Sequence, residues 1–400
     1  MKRLLWISYL SYFFIGFAQI AIGSVLRLLL KHYDIGYDQG GVLIFSQISG
    51  FVVGVLAAPW VSRSMGRRGG LMLSFICISV ATFGFSMLPA WILILILAPV
   101  AGFGLGMVEA VIGALVIEAT PFGEKAKTFS LLNVFFGLGA VLMPILSAAL
   151  IAADVWLWSF VIVGALSIIM TFIWWRIPFS DNLNKLLGSQ IPLRHDQLQK
   201  SATGYTGISL LILLLFMGIF FLYVGVEVTV ANFIPTVMVE SLQTNEETAL
   251  FGVTLLWIAI TTGPMYAGAI AEKWGYAAYM LSHTAFAVLF ILGILLASQA
   301  WLFFLMVFML GLTLSGLFAI ALVYADSMLP GRIEQLTSIL IASGGIGGVL
   351  LPLFTGWSLK HLSVTSTMLV WAGMIMLMFL LTACVARTFS SVKTLLEKAS

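Results

Sequence analysis

The sequence is short of everything that keeps a protein in water. Of its 400 residues only 9% are charged, against about 25% in ordinary soluble domains. A water-soluble globule is excluded. Cysteine is nearly absent. Cys77 and Cys384 both fall in apolar runs, where they read as small packing residues and say nothing about redox compartment. There is no His/Cys ligand cluster, no Gly-rich phosphate loop with its lysine and no nucleophile motif. The chain therefore lacks the apparatus of a metal site, an ATP-driven pump or a membrane enzyme, and no cofactor is expected. Alternating segments of about 10 residues, the mark of a membrane β-barrel, are missing too.

What is present is long apolar runs, in a chain of mean hydropathy +1.12. A bilayer-crossing helix needs about 20 such residues. Twelve runs can be read, roughly at 4–31, 40–62, 69–89, 91–119, 127–153, 155–175, 206–239, 247–270, 276–297, 300–325, 335–358 and 364–386. The first, "MKRLLWISYLSYFFIGFAQIAIGSVL", has the basic start of a signal peptide. Its apolar stretch is too long and no cleavage site follows promptly, so it reads as an uncleaved span. With the N-terminus inside, 16 of the 19 basic residues fall on the cytoplasmic side, and only Arg27, Lys31 and Lys360 fall elsewhere. Both termini are then cytoplasmic, and the formal charge of +3 reflects this bias, not nucleic-acid binding.

The one long polar segment, "RIPFSDNLNKLLGSQIPLRHDQLQKSATG", divides the runs six and six. It suggests a first half at 1–175, a cytoplasmic central loop at 176–205 and a second half at 206–400. Sliding the chain by 208 residues sets Glu118 on Asp326, Gly139 on Gly347, Pro144 on Pro352 and Gln19 on Glu227. Agreement across several spans marks an internal repeat. The fold class expected is an all-α membrane protein of twelve helices in two pseudo-symmetric six-helix bundles.

The stretch "GFGLGMVEAVIGALVIEATPF" places Glu109 near the middle of its span. An ionisable group there costs at least about 2.5–3.5 kcal/mol and is a functional site by default. Loss of water favours the neutral form of a carboxyl group, which suits a proton carrier. The bland alternative is an interhelical hydrogen bond from a protonated glutamate. Glu227 lies mid-span in run seven and is the second acid for that role, with Asn232 just over one turn further out. Polar groups converging at the midplane suit sugar hydroxyls, which need donors and acceptors. Gln19, the repeat partner of Glu227, should face the same cavity. Phe136, Tyr223 and Trp257 are candidates to stack on a pyranose. For each polar group the alternative is glue between helices, and for each aromatic it is packing or lipid contact. Arg27 is expected to snorkel to the outer interface, and His283 is left out of the site.

Parallel six-span halves with a midplane site are the organisation of the major facilitator superfamily, and "GAIAEKWG" at 268–275 resembles its loop signature. That likeness implies a gating latch in which Arg67, Arg68, Glu272 and Lys273 of the loops work with Glu118 and Asp326. The first-half copy has Arg63 where an acid is expected, which weakens the latch there. "GLGMVEAVIGALVI" with "LLNVFFGLGAVLMP", "FFLYVGVEVTVANFIPTVM" and "VLIFSQISGFVVGVLAAP" are similar to the fucose–galactose–glucose:proton symporter family, in its glucose/mannose branch. Ser24 stands where the fucose branch has an aspartate, which favours the glucose-like branch. The resemblance implies Glu109 as the proton-coupling acid and adds Asn133 to the sugar-binding residues. It implies a small-molecule substrate (a sugar) and protons as partners, a monomer in the lipid bilayer of the cytoplasmic (inner) membrane, and no nucleic acid or metal. Two rivals stay open: an antiporter exporting an amphipathic drug, echoed by "FGLGAVLMP", and a transporter-like receptor without flux.

Overall fold

The computed structural model describes residues 2–120, 125–176, 207–329 and 333–399, and every regular element among them is an α-helix. The expected central loop, 176–205, lies outside the described residues apart from Arg176. In chain order the helices are α1 (Lys2–Gln19), α2 (Ala21–His32), α3 (Tyr37–Ser86), α4 (Trp91–Ala119), α5 (Lys125–Ala152), α6 (Trp158–Arg176) and α7 (Ile208–Leu242). They continue as α8 (Glu246–Thr262), α9 (Pro264–Trp274), α10 (Tyr276–Leu296), α11 (Ala300–Leu314), α12 (Leu317–Met328), α13 (Ile333–His361) and α14 (Val364–Ala399).

Among the described residues ten segments are long and apolar enough to cross a membrane, and α8 with α9 makes an eleventh, bent by 55°. The 50-residue α3 is two crossings, because at Gly66 its backbone turns to φ 71°, ψ 164°. That conformation is essentially confined to glycine. Twelve spans result: α1 with α2 form span one, α3 supplies spans two and three, and α4 to α6 are spans four to six. Span seven is α7, span eight α8 with α9, span nine α10, span ten α11 with α12, span eleven α13 and span twelve α14. Both chain ends fall at one end of the bundle, the terminal end; the opposite end is the far end.

Lipid tails are as apolar as leucine, so spans associate through close backbone packing at small residues. The two halves do this alike. A Cβ on Gly139 would lie 1.9 Å from the carbonyl oxygen of Phe13, and one on Gly347 would lie 1.9 Å from that of Phe221. Both partners of the second contact are displaced by the 208 residues of the sequence repeat. Side chains too polar for lipid are satisfied inside each half, as where Trp174 donates to Ser11 Oγ (3.1 Å) and Trp371 to Thr355 Oγ1 (3.1 Å).

The halves meet along spans two and eleven, and along five and eight. Gly41 packs against the carbonyl oxygens of Pro352 and Leu353, Gly356 against that of Tyr37, and Gly137 against Thr261. The first three contacts lie at the far end.

Candidate functional site

Glu109 of α4 and Glu227 of α7 are both mid-helix, enclosed by protein, yet each keeps some accessible surface. A side chain on the wall of an internal cleft has that combination; one facing lipid is not enclosed. The hydroxyl of Tyr12 in span one donates to the Glu109 backbone oxygen (3.1 Å), tying span one to span four beside the carboxyl group. Tyr223 lies one turn before Glu227 on the same helix. Among the described residues no cation is paired with either acid.

Two candidate substrate residues, Phe136 and Trp257, are in contact, and a third, Gln19, stands on a helix packed against span five. Gln19 ends α1, and its Oε1 is buried with no partner among the described residues; the same holds for Nε1 of Trp257. The rings of Trp257 and Phe136 meet edge to face with centroids 5.8 Å apart, and the Phe136 backbone lies against Gly16 of α1. Spans five and eight thus hold two aromatic rings and an unmet donor together, and span one, packed on span five, carries an unmet acceptor at the end of α1. An open apolar cleft of about 410 Å³ at the terminal end is lined by Trp6, Ile7, Leu10, Phe13 and Phe135, and none of Gln19, Phe136 and Trp257 is in its wall.

The other candidates stand elsewhere. Asn232 donates to Val228 O of its own helix (2.8 Å) and sets its Oδ1 against Gly23 of α2. It therefore serves a contact between the halves, beyond the level of Glu227. Tyr223 turns its ring to Phe318 of span ten (centroids 6.1 Å). Asn133 is exposed on α5, one turn before Phe136. His283 stacks on Tyr279, away from this cluster.

At the terminal end Arg67, wholly buried, makes a two-pronged pair with Glu118 (2.7 and 2.8 Å). Arg68 donates to the carbonyl oxygens of Trp174 (2.5 Å) and Trp175, at the negative end of the α6 dipole. Glu272, Lys273 and Asp326 are exposed and form no ion pair among the described residues. Arg63 stands where an acid is expected, and the Arg67–Glu118 pair forms beside it. The first-half pair is made, with Arg67 supplying the two-pronged fork and Arg63 exposed, whereas Asp326 has no such pair among the described residues.

Arg27 corrects the expectation that it snorkels to the interface. Its guanidinium crosses to the second half and pairs with Glu240 (2.9 Å) and Glu246, while Tyr37 donates to Glu240 (2.6 Å). Lys360 pairs with Asp38 (3.0 Å), again from half to half. A half-buried guanidinium finds two carboxylates at its own level, a better partner than the interface. Sequence reasoning missed these pairs, although two of the three cations that break the positive-inside pattern are the ones that make them.

The family model described as the Major Facilitator Superfamily matches residues 8–226 and 215–394. The chain belongs to the Major Facilitator Superfamily. Within that superfamily it is similar to the glucose/mannose transporter GlcP of Bacillus subtilis (strain 168), at 29% identity over 392 residues, 95% of this chain and 94% of that one. Among solved structures it resembles a bacterial homolog of the human lysosomal transporter Spinster in an inward-facing and occupied conformation. There the TM-score is 0.77 at 14% identity, over 98% of this chain and 97% of that one. A D-xylose–proton symporter gives a TM-score of 0.74 at 13% identity, over 94% and 96%. These likenesses show the Major Facilitator fold. They also fit a multi-pass membrane protein whose relatives are transporters, not enzymes.

Proposed function

We propose that the protein is a secondary active transporter that takes up a hexose, glucose or mannose, with a proton by alternating access. The terminal end faces the cytoplasm in this reading, since 16 of the 19 basic residues belong there. The observation that carries it is Glu109: a carboxyl group in mid-membrane, enclosed by protein yet keeping some accessible surface, with no paired cation among the described residues. Ionised and alone it is costly there; neutral it is not. Such a group binds a proton before the halves rock and releases it where water from the other side arrives.

The substrate site is the cluster of Gln19, Phe136 and Trp257. Gln19 Oε1 offers a sugar hydroxyl an acceptor and Trp257 Nε1 a donor, while a ring face rests on the aromatics. Those two unmet polar atoms favour a sugar over the amphipathic cargo of an exporter. The name of the GlcP relative supports the same class. Glu227, one turn from Tyr223, is the second acid for the proton role. Loading from outside requires the pairs of Arg27 and Lys360 to part; unloading occurs with them closed.

Replacing Glu109 by glutamine keeps the shape and mimics the protonated form. In proteoliposomes, uphill accumulation of D-glucose or D-mannose driven by a pH gradient should vanish, while exchange of labelled for unlabelled sugar survives. Gradient-driven uptake that persists in Glu109→Gln rules Glu109 out as the sole carrier and passes the role to Glu227. A wild-type protein that binds hexose but moves none is the receptor of the rival reading.

A further inference from the structure

Spans eight and ten both break in mid-membrane, and the two breaks touch. In span eight Pro264 has no N–H, so the Ile260 carbonyl, four residues back, loses the hydrogen bond a helix would give it. Such an orphan in the membrane must be met from elsewhere. Ser315 of span ten meets it, its Oγ donating to Ile260 O at 2.9 Å. Span ten breaks at the next residue, Gly316, where φ is 74°. That break frees the Ser315 carbonyl, which accepts from the Tyr279 hydroxyl of span nine at 3.1 Å. Tyr279 is itself held, its ring stacked on His283 with centroids 3.8 Å apart. The approach is so close that a Cβ on Gly263 would lie 1.7 Å from Ser315 Oγ.

The first half supplies a control. At an offset of 209 residues, Gly54 and Gly106 occupy the places of Gly263 and Ser315, and Val55 that of Pro264. There the two helices run unbroken, with Gly106 against the Phe51 carbonyl. The paired breaks and their clamp belong to the second half alone.

We infer that Ser315 is a positioning residue that joins the breaks of spans eight and ten into one hinge, so that α9 and α12 swing together at the terminal end. Ser315 binds the orphan of one break while its own carbonyl is the orphan of the other, so neither helix can straighten without disturbing its neighbour. Tyr279 anchors the pair to span nine. The role as a gate rests on the reading of the chain as an alternating-access transporter; the mechanical coupling does not.

Amide hydrogen exchange of the full-length protein in lipid nanodiscs tests the coupling without any substrate. Ser315→Ala should speed exchange by about tenfold, the scale of one lost buried hydrogen bond, in the first turns of both α9 and α12. Ser315→Thr, which keeps the hydroxyl, should restore wild-type exchange. Pro264→Ala returns an N–H to Ile260 O, so in that background Ser315→Ala should speed α12 only. A response confined to α12 in the single variant, or an α9 response that persists beside Pro264→Ala, overturns the joint hinge. D-glucose exchange in proteoliposomes should slow about tenfold in Ser315→Ala, in line with the same hydrogen bond. A wild type that moves no D-glucose counts against the uptake reading alone, because the amide pattern is read without sugar.

Discussion

At the far end Arg27 reaches from α2 to Glu240 and Glu246 of the other half, whereas at the terminal end Arg67 pairs with Glu118 of its own half. A pair inside one bundle survives when the bundles rock against each other. A pair between bundles must break. The first kind therefore bears on how stable a half is, and the second on which side of the membrane is open. Burial follows the same division: the Arg67 side chain is 0% exposed and that of Arg27 is 29% exposed. A buried cation left alone is costly, while a partly wet one can be released and hydrated at modest cost.

The hardest test of the comparison is charge reversal at Glu118. Removing one partner of a fully buried pair costs about 3–5 kcal/mol. The Glu118 side chain is 37% exposed, so Glu118→Lys should cost about 2–3 kcal/mol by thermal unfolding in detergent. Its repeat partner Asp326, unpaired among the described residues, should tolerate the same reversal within about 0.5 kcal/mol. Equal losses at both would mean that Arg67–Glu118 is no structural anchor.

Next in size is the opening of the far end. Arg27→Ala leaves Glu240 and Glu246 facing each other without their cation, so the outward-open population should rise, by about tenfold if the two pairs contribute together about 1.4 kcal/mol. A cysteine at Asn232, set against Gly23 in the closed state, reports this through an impermeant maleimide applied from outside to protein lacking Cys77 and Cys384. Unchanged labelling would remove Arg27 from the gate. The melting temperature should hardly move, which separates this variant from Glu118→Lys.

The smallest effect belongs to Lys360. Its side chain is 45% exposed, and Lys360→Ala should raise the same labelling by less than about threefold, the limit of a weak surface pair. Raising the external salt concentration should act on wild type in the same direction and act less on Arg27→Ala, where the Lys360–Asp38 pair is what remains to be screened.

Much of this is legible in the chain. Hydropathy marks twelve crossings, and the repeat anticipates the matching contacts of Gly139 with Phe13 and of Gly347 with Phe221. Glu109 stands out because a lone acid deep in an apolar run is too costly to be kept without a use. The breaks do not show: the run at 300–325 reads as one span because hydropathy carries no information about φ at Gly316 or about a missing N–H at Pro264. The depth of Asn232 suggests a sugar ligand, but its amide is engaged by Val228 and Gly23.

The sequence by itself determined which segments cross the membrane, because a backbone in lipid must satisfy its own hydrogen bonds and only long apolar helices do so. It also determined the two-fold repeat and the acid at mid-membrane. Partnership was decided only by the tertiary structure. Arg27 meets Glu240 across 213 residues of chain, and Ser315 meets Ile260 across 55. Such pairs depend on where the packing of the spans brings side chains to one level, and no local pattern in either segment encodes that level.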